Sequence, residues 1–195
     1  YVANNEWSIF NQNLRINSHL ARIVNLCQPR KLIYVGTACS YPQGMQRSVD
    51  KSGLTETDKF PADPESGYGW SKLIGDIEYA LLCKSNGVTY TNLDLHNVYG
   101  SPCDFNPATA QVIPSLIYKA LTSEQLVIWG NGEQGRAFVE VRDVAAAILA
   151  AIDLDMGGSY MIGPNSCTTI NGVVELLLGN PKVKAKTVVK DLSQP

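Results

Sequence analysis

The chain has 195 residues, 45% of them hydrophobic, and 16 basic against 18 acidic side chains give a net charge of -2. This is enough apolar content for one cored domain, or one domain with a lobe, and it leaves no basic footprint, so neither nucleic acid nor an anionic membrane is an expected partner. No apolar run approaches membrane-spanning length and the amino terminus does not read as a signal peptide; the five cysteines (27, 39, 83, 103, 167) form no Cys-x-x-Cys, so no metal is expected and the expected setting is a reducing cytoplasm.

Apolar positions 16, 20, 23, 24 and 27 follow helical spacing and predict an amphipathic helix from Ile9 to Cys27, stopped before Pro29. Residues 31 to 36 read as a strand buried on both faces. Gly36, Thr37 and Cys39 then fall at its carboxyl end, where open α/β sheets bind ligands. Residues 42 to 66, rich in Pro, Gly, Ser, Asp and Lys, read as a surface loop beside that end. A helix from Ser66 to Ser85 is predicted to bury Trp70, Leu73, Ile74, Ile77 and Leu81 on one stripe, and Asn86-Gly87 ends it. Val88 to Leu95 is the next strand; its polar Asn92 and Asp94 argue against a central place in a sheet.

A loop with Pro102 and Pro107 precedes a helix near Ala110 to Leu121. Leu126 to Trp129 and Arg136 to Val141 read as strands joined by a tight glycine turn. Asp143 is the expected cap of an alanine-rich helix reaching Ile152, apolar nearly all round and so expected to be buried. Ser159 to Ile162 is a short strand, Thr169 to Leu178 a helix ended by Gly179, and Val183 to Val189 a last strand-like run. There is no internal repeat. The alternation predicts an α/β fold, a partial Rossmann domain with a doubly wound parallel sheet over residues 1–100, and a smaller mixed α/β lobe over 101–195 interleaved with the last Rossmann elements.

Gly130-Asn-Gly132-Glu-Gln-Gly135 matches the dinucleotide fingerprint in spacing only. That fingerprint works when the glycine turn feeds a helix whose amino terminus faces the pyrophosphate; here it feeds Arg-Ala-Phe-Val-Glu-Val, a strand, and a hairpin turn is the better reading.

Tyr68 and Lys72 are one helical turn apart and project from one face. Such a pair is either an ordinary helix surface or a proton-transfer device. In the second case the ammonium favours the phenolate and lowers the tyrosine pKa, and Thr37 can hydrogen-bond the same oxygen. The context favours chemistry. A strand ending in Gly-Thr-Ala-Cys-Ser-Tyr-Pro, upstream of Tyr-Gly-Trp-Ser-Lys, resembles the extended short-chain dehydrogenase/reductases, the NAD-dependent epimerase/dehydratase family. The resemblance spans about Asn13 to Gly163. It implies a triad of Thr37, Tyr68 and Lys72, NAD or NADP held by Gly36, Thr37, Tyr68 and Lys72, and a nucleotide-sugar substrate touched by Asn97 (in Asn-Val-Tyr-Gly), Gln111 and Arg136, whose guanidinium suits a diphosphate. The alternative for Arg136 is a surface charge. The family's glycine-rich turn after the first strand and its acidic residue after the second have no counterpart here. The expectation is therefore a fragment beginning midway through a Rossmann unit, at the helix after the fourth strand, and stopping early.

Within the family, sugar 4,6-dehydratases carry an acidic residue where this chain has Cys39, so dehydration is disfavoured. Cys39 and the segment from Asn97 to Val112-Ile-Pro114 resemble the GDP-fucose synthases and GDP-mannose 3,5-epimerases, which implies a GDP-sugar and makes Cys39 a possible second acid/base; its alternative is a small packing residue. The partner acid/base, a His or Lys in those enzymes, falls on Gln111, which exchanges no proton. A C4 epimerase and a 4-keto reductase both stay open, as does a non-catalytic scaffold. Asp94 stands where many relatives have Arg. The stripes on the first helix and the Tyr68 helix either cover the sheet or, as the resemblance implies, join a homodimer.

Overall fold

The computed structural model describes residues 5–46, 54–106, 109–154 and 157–193. Pro107 and residues 47–53 of the expected 42–66 loop lie outside them. In chain order the elements are α1 (Glu6–Cys27), β1 (Lys31–Thr37), α2 (Gln43–Gln46), α3 (Gly67–Asn86), β2 (Thr89–Leu95), β3 (Asn97–Tyr99), α4 (Val112–Thr122), β4 (Gln125–Trp129), β5 (Gly135–Arg136), β6 (Phe138–Glu140), α5 (Val141–Asp153), β7 (Gly158–Ile162), β8 (Thr168–Thr169), α6 (Ile170–Leu178) and β9 (Thr187–Asp191), with 3-10 turns at Ala38–Ser40 and Glu56–Lys59. Two compact units result. One holds residues up to Gln46, Leu54–Val98 and Val139–Gly163; the other holds Tyr99–Phe138 and the chain from Pro164.

The first unit is built on a parallel sheet in the order β1-β2-β7, with Ile33 opposite Thr91 and Leu93 opposite Tyr160. Alternation along β1 sends even positions to one face, where Tyr34 meets Lys72 and Tyr79 of α3, and odd positions to the other, where the Lys31 ammonium reaches the Ala151 carbonyl of α5 at 2.7 Å. Helices therefore cover both faces of a parallel sheet, a Rossmann-like α/β fold. β1 is an edge strand of this sheet and Val35 is 40% exposed, so it is not buried on both faces as its apolar run suggested.

β2 is central, against the expectation drawn from Asn92 and Asp94. Both side chains are buried: Asn92 Nδ2 donates to Asp76 Oδ2 of α3 (3.2 Å) while its Oδ1 has no hydrogen-bond partner among the described residues, and Asp94 accepts from Thr37 of β1, from Tyr41 and from Lys59. Burial of Asp94 is tolerable because both of its carboxylate oxygens are satisfied.

The helix stripes are also corrected. On α3 only Leu73 of the five expected residues is buried; Trp70, Ile74, Ile77 and Leu81 are exposed, as are Ile16, Leu20 and Ile23 on α1. The buried face of α3 is made of Gly69, Ser71, Leu73, Gly75, Tyr79 and Cys83. Small residues let α1 approach: Asn13 Nδ2 donates to Ser71 Oγ (2.9 Å), Asn17 Nδ2 to the Ser71 carbonyl (3.0 Å), and a Cβ on Gly75 would lie 2.7 Å from Asn17 Nδ2. On α5 only Val144 and Ala151 are buried, with Leu149 and Ile152 exposed, and its cap is Glu140, which accepts from the Arg142 N–H at 2.7 Å, rather than Asp143.

The second unit packs α4 and α6 around Leu116, Ala120, Leu126, Ile128, Val174, Val183 and Ala185. The expected glycine hairpin does not form. β4 pairs in parallel with β9 (Leu126 opposite Val188), and β5 pairs antiparallel with β8 (Arg136 opposite Thr168). Gly130 and Gly132 do turn the chain with positive φ, and the turn feeds β5 rather than a helix, in keeping with its rejection as a dinucleotide fingerprint.

Candidate active site

At the carboxyl end of β1 the chain makes a tight turn. Thr37 Oγ1 accepts from the Cys39 N–H at 3.2 Å, Ser40 Oγ donates to the Thr37 carbonyl at 2.7 Å, and Tyr41 is completely buried beneath. The first turn of α3 begins at Ser66, whose side chain accepts from the Gly69 N–H at 3.3 Å. Gly69 lies directly on this turn. A Cβ there would run into the Cys39 carbonyl oxygen, a backbone atom that has no rotamer to escape into. Gly69→Ala is accordingly expected to cost about 1–3 kcal/mol through overpacking, measured by urea denaturation; an unchanged midpoint would mean that helix and turn are not locked together.

That close approach sets Tyr68 against Thr37 and Cys39. Burial raises the Tyr68 hydroxyl above the usual phenol range, the neighbouring Cys39 side chain adds to the rise, and a hydrogen bond from the Thr37 side chain works the other way. The expected lowering of Tyr68 by Lys72 is therefore not found. The Lys72 ammonium lies 4.4 Å from the centroid of the Tyr34 ring; burial lowers its pKa, opposed by the charge of Asp94. Each group is held toward its neutral form because both sit in a poorly solvated place.

Gly36 is buried one residue before Thr37, and a Cβ on it would collide with Asp94 Oδ1 and Asn92 Oδ1. Cys39 is exposed. Asn97 opens β3 at the end of the first unit, on the exposed side. His96, just before it, went unremarked in the sequence; burial lowers its pKa, Asp94 opposes this, and its ring lies where a Cβ of Gly163 would be. Gln111 and Arg136 belong to the second unit: Gln111 precedes α4 without capping it, and the Arg136 guanidinium is exposed and donates to the Gly135 carbonyl at 2.9 Å.

Below the turn lies a charged layer that the sequence did not reveal. Lys59, expected on a surface loop, is buried with its ammonium 2.6 Å from Asp94 Oδ2 and 2.7 Å from Asp76 Oδ2. Asp94 Oδ1 accepts from the Thr37 N–H (3.2 Å), Asp94 Oδ2 from the Tyr41 hydroxyl (3.1 Å), and Asp76 Oδ1 from the Tyr90 hydroxyl (2.7 Å). Burial first, and these carboxylates after it, lift Tyr41 and Tyr90 far above the usual phenol range; burial does the same for Tyr34 and carries Tyr79 to about 12. A phenol whose folded pKa exceeds its unfolded value contributes stability that is intact below about pH 10 and is lost as the pH climbs through the folded value. Cooperative unfolding is thus expected above about pH 10, with delayed phenolate absorbance. Ionisation of all nine tyrosines near pH 10 in a still-folded chain would contradict it.

A parallel sheet carrying Thr, Tyr and Lys at the carboxyl end of a strand and the start of the next helix defines the Rossmann-type class that places its chemistry at strand ends. The chain belongs to the NAD dependent epimerase/dehydratase family, whose model matches residues 3–163. It is similar to GDP-mannose 3,5-epimerase of Arabidopsis thaliana (24% identical, covering 91% of this chain and 48% of the relative) and to GDP-L-fucose synthase of Escherichia coli (29% identical, 78% and 49%). Its backbone superposes on UDP-glucose 4-epimerase of Thermotoga maritima with a TM-score of 0.82 at 25% identity, covering 97% of this chain and 60% of that one. The chain spans about half the length of the curated relatives it matches. Among the described residues no helix is long and apolar enough to cross a membrane, and no cluster of His, Cys, Asp and Glu is arranged to hold a metal.

Proposed function

We propose that this protein is an NAD(P)-dependent nucleotide-sugar epimerase or reductase of the GDP-fucose-synthase type, acting at sugar C4. The observation that carries the reading is the meeting of Thr37, Cys39 and Tyr68 at the carboxyl end of β1 in a chain of this family. In this reading residues 1–100 form the nicotinamide-binding part of the Rossmann domain, and residues 101–195 form the substrate lobe interleaved with the last Rossmann elements, Val139–Gly163, with Asn97, Gln111 and Arg136 touching a GDP-sugar.

The first unit suits the nicotinamide end of a dinucleotide: Tyr68 and Lys72 offer a hydroxyl and an ammonium in a poorly solvated place near the carboxyl end of β1. A bound dinucleotide would supply the hydride donor or acceptor for sugar C4. Tyr68, kept neutral by burial, donates its proton to the C4 oxygen in the reductive direction; Thr37 orients that oxygen; Lys72 holds the nicotinamide ribose. Cys39 is the second acid/base, and Gln111 makes single rather than double epimerisation the expected outcome. The test supplies deuterated NADH or NADPH and GDP-4-keto sugars to the whole protein and follows deuterium into C4 by mass spectrometry. Binding of both without transfer would replace this reading by a non-catalytic scaffold.

The assembly we infer is a homodimer through α1 and α3. Its support is the apolar stripe left exposed on both helices, with Trp7 and Trp70 lining one cleft. Leu20→Glu with Ile77→Glu should halve the mass seen by sedimentation; an unchanged mass would locate the interface elsewhere.

A further inference from the structure

The Lys59–Asp94 pair sits beneath the turn that bears Thr37 and Cys39, and no step of the proposed reaction uses it. Asp94 is 1% exposed and the Lys59 side chain 6%, so water screens neither charge. Two buried charges in contact are costly to desolvate and are weak grounds for stability alone. Their geometry gives them another use.

The two oxygens of Asp94 have separate partners. Oδ1 takes the Thr37 N–H and Oδ2 takes the Tyr41 hydroxyl, so one carboxylate grips both ends of the turn that carries Cys39 between them. Lys59 pairs with the same Oδ2 and at the same time binds Asp76, which lies on α3, the helix that presents Tyr68. A single ammonium thereby ties the strand end to the helix. The lysine itself is fixed by its own segment: the Thr55 N–H donates to Asp58 Oδ2 at 2.7 Å, and Glu56 Oε1 accepts from Met161 N–H of β7 at 2.9 Å. Gly36 is the only residue type that leaves room for the Asp94 carboxylate beside β1.

We propose that Asp94, locked by Lys59, is the positioning residue of this site: it sets the Thr37–Tyr41 turn against α3 and so fixes the Thr37 hydroxyl and the Cys39 thiol relative to Tyr68. The proposal rests on the reading that Thr37, Cys39 and Tyr68 form the active site. Positioning errors of about an ångström are enough to cost a large factor in turnover while leaving binding alone.

Two variants of the whole protein test it, Asp94→Asn and Tyr41→Phe. Asp94→Asn keeps an acceptor for Thr37 and removes the charge; Tyr41→Phe deletes one hydroxyl and nothing else. Two readouts are taken: kcat and KM in the C4 assay, and the iodoacetamide alkylation rate of Cys39, with the buried Cys83 reporting on global opening. The expected result is a fall in kcat of at least about tenfold for Asp94→Asn and about threefold for Tyr41→Phe, with KM within about twofold of wild type. The Cys39 alkylation rate should change by at least about threefold with Cys83 protected. Unchanged kcat and unchanged Cys39 reactivity overturn the proposal. If Asp94→Asn also exposes Cys83, Tyr41→Phe decides on the same criteria. If the wild type turns over no nucleotide sugar, the functional reading fails, and the alkylation of Cys39 still decides whether Asp94 sets the turn.

Discussion

Tyr68→Phe should lower kcat by about 10²–10⁴-fold while leaving dinucleotide affinity nearly unchanged. The substitution removes one oxygen from a ring that keeps its place against the turn. The fold has little reason to respond, because Gly69 and Ser66 set the first turn of α3 through the backbone. What disappears is the group that gives its proton to the C4 oxygen. Because burial holds Tyr68 neutral, the proton is present on it at neutral pH and is available in the reductive direction. kcat and kcat/KM should fall together, the signature of an interaction made only in the transition state. Steady-state kinetics beside a fluorescence titration of the dinucleotide make the measurement. Undiminished turnover would remove Tyr68 from the chemistry and the functional reading with it.

The parts of this site that are close in sequence could be read from it. Thr37 and Cys39 follow one apolar strand, and Tyr68 and Lys72 share one helix, so local periodicity placed them correctly on their elements. The α/β alternation was legible for the same reason, and the family from the resemblance of Gly-Thr-Ala-Cys-Ser-Tyr-Pro and Tyr-Gly-Trp-Ser-Lys to the epimerase/dehydratase motifs. What joins residues far apart was not. Lys59, Asp76 and Asp94 come from a turn, a helix and a strand, and nothing local marks them as one cluster; Asn92 and Asp94 argued against a central strand because their partners lie outside β2. The pairing of β4 with β9 was missed likewise, since a nearby glycine turn suggested a hairpin and a parallel partner carries no local signal. The helix stripes erred in another way. Apolar spacing marks a face that avoids water without saying which neighbour covers it, and here the small residues Gly67, Ser71 and Gly75, one turn apart, make the face of α3 that meets α1. Their spacing along the helix was the signal available.

Lys59→Met should destabilise the protein by about 3–5 kcal/mol, the largest single effect expected on folding. Methionine matches the aliphatic stem in length, so the packing of the stem is nearly retained, and the cation is what goes. Its removal leaves Asp94 and Asp76 facing each other without the ammonium that bridged them, with Asp94 almost wholly shielded from water. Against a typical total of about 5–15 kcal/mol this is a large share, and for a chain of this size it corresponds to a fall in Tm of about 6–20 °C. The origin of the loss can be separated from mere cavity formation by a double-mutant cycle. If the cost is an unpaired carboxylate, Asp94→Asn in the Lys59→Met background should restore part of the stability, because it removes the charge that lost its partner; two independent losses would simply add. Restoration would also show that the ion pair is kept for its geometry rather than for stability, since a neutral pair would then fold nearly as well while its turnover fell. Additive losses would instead assign Lys59 a packing role and leave Asp94 held by Thr37 and Tyr41 alone.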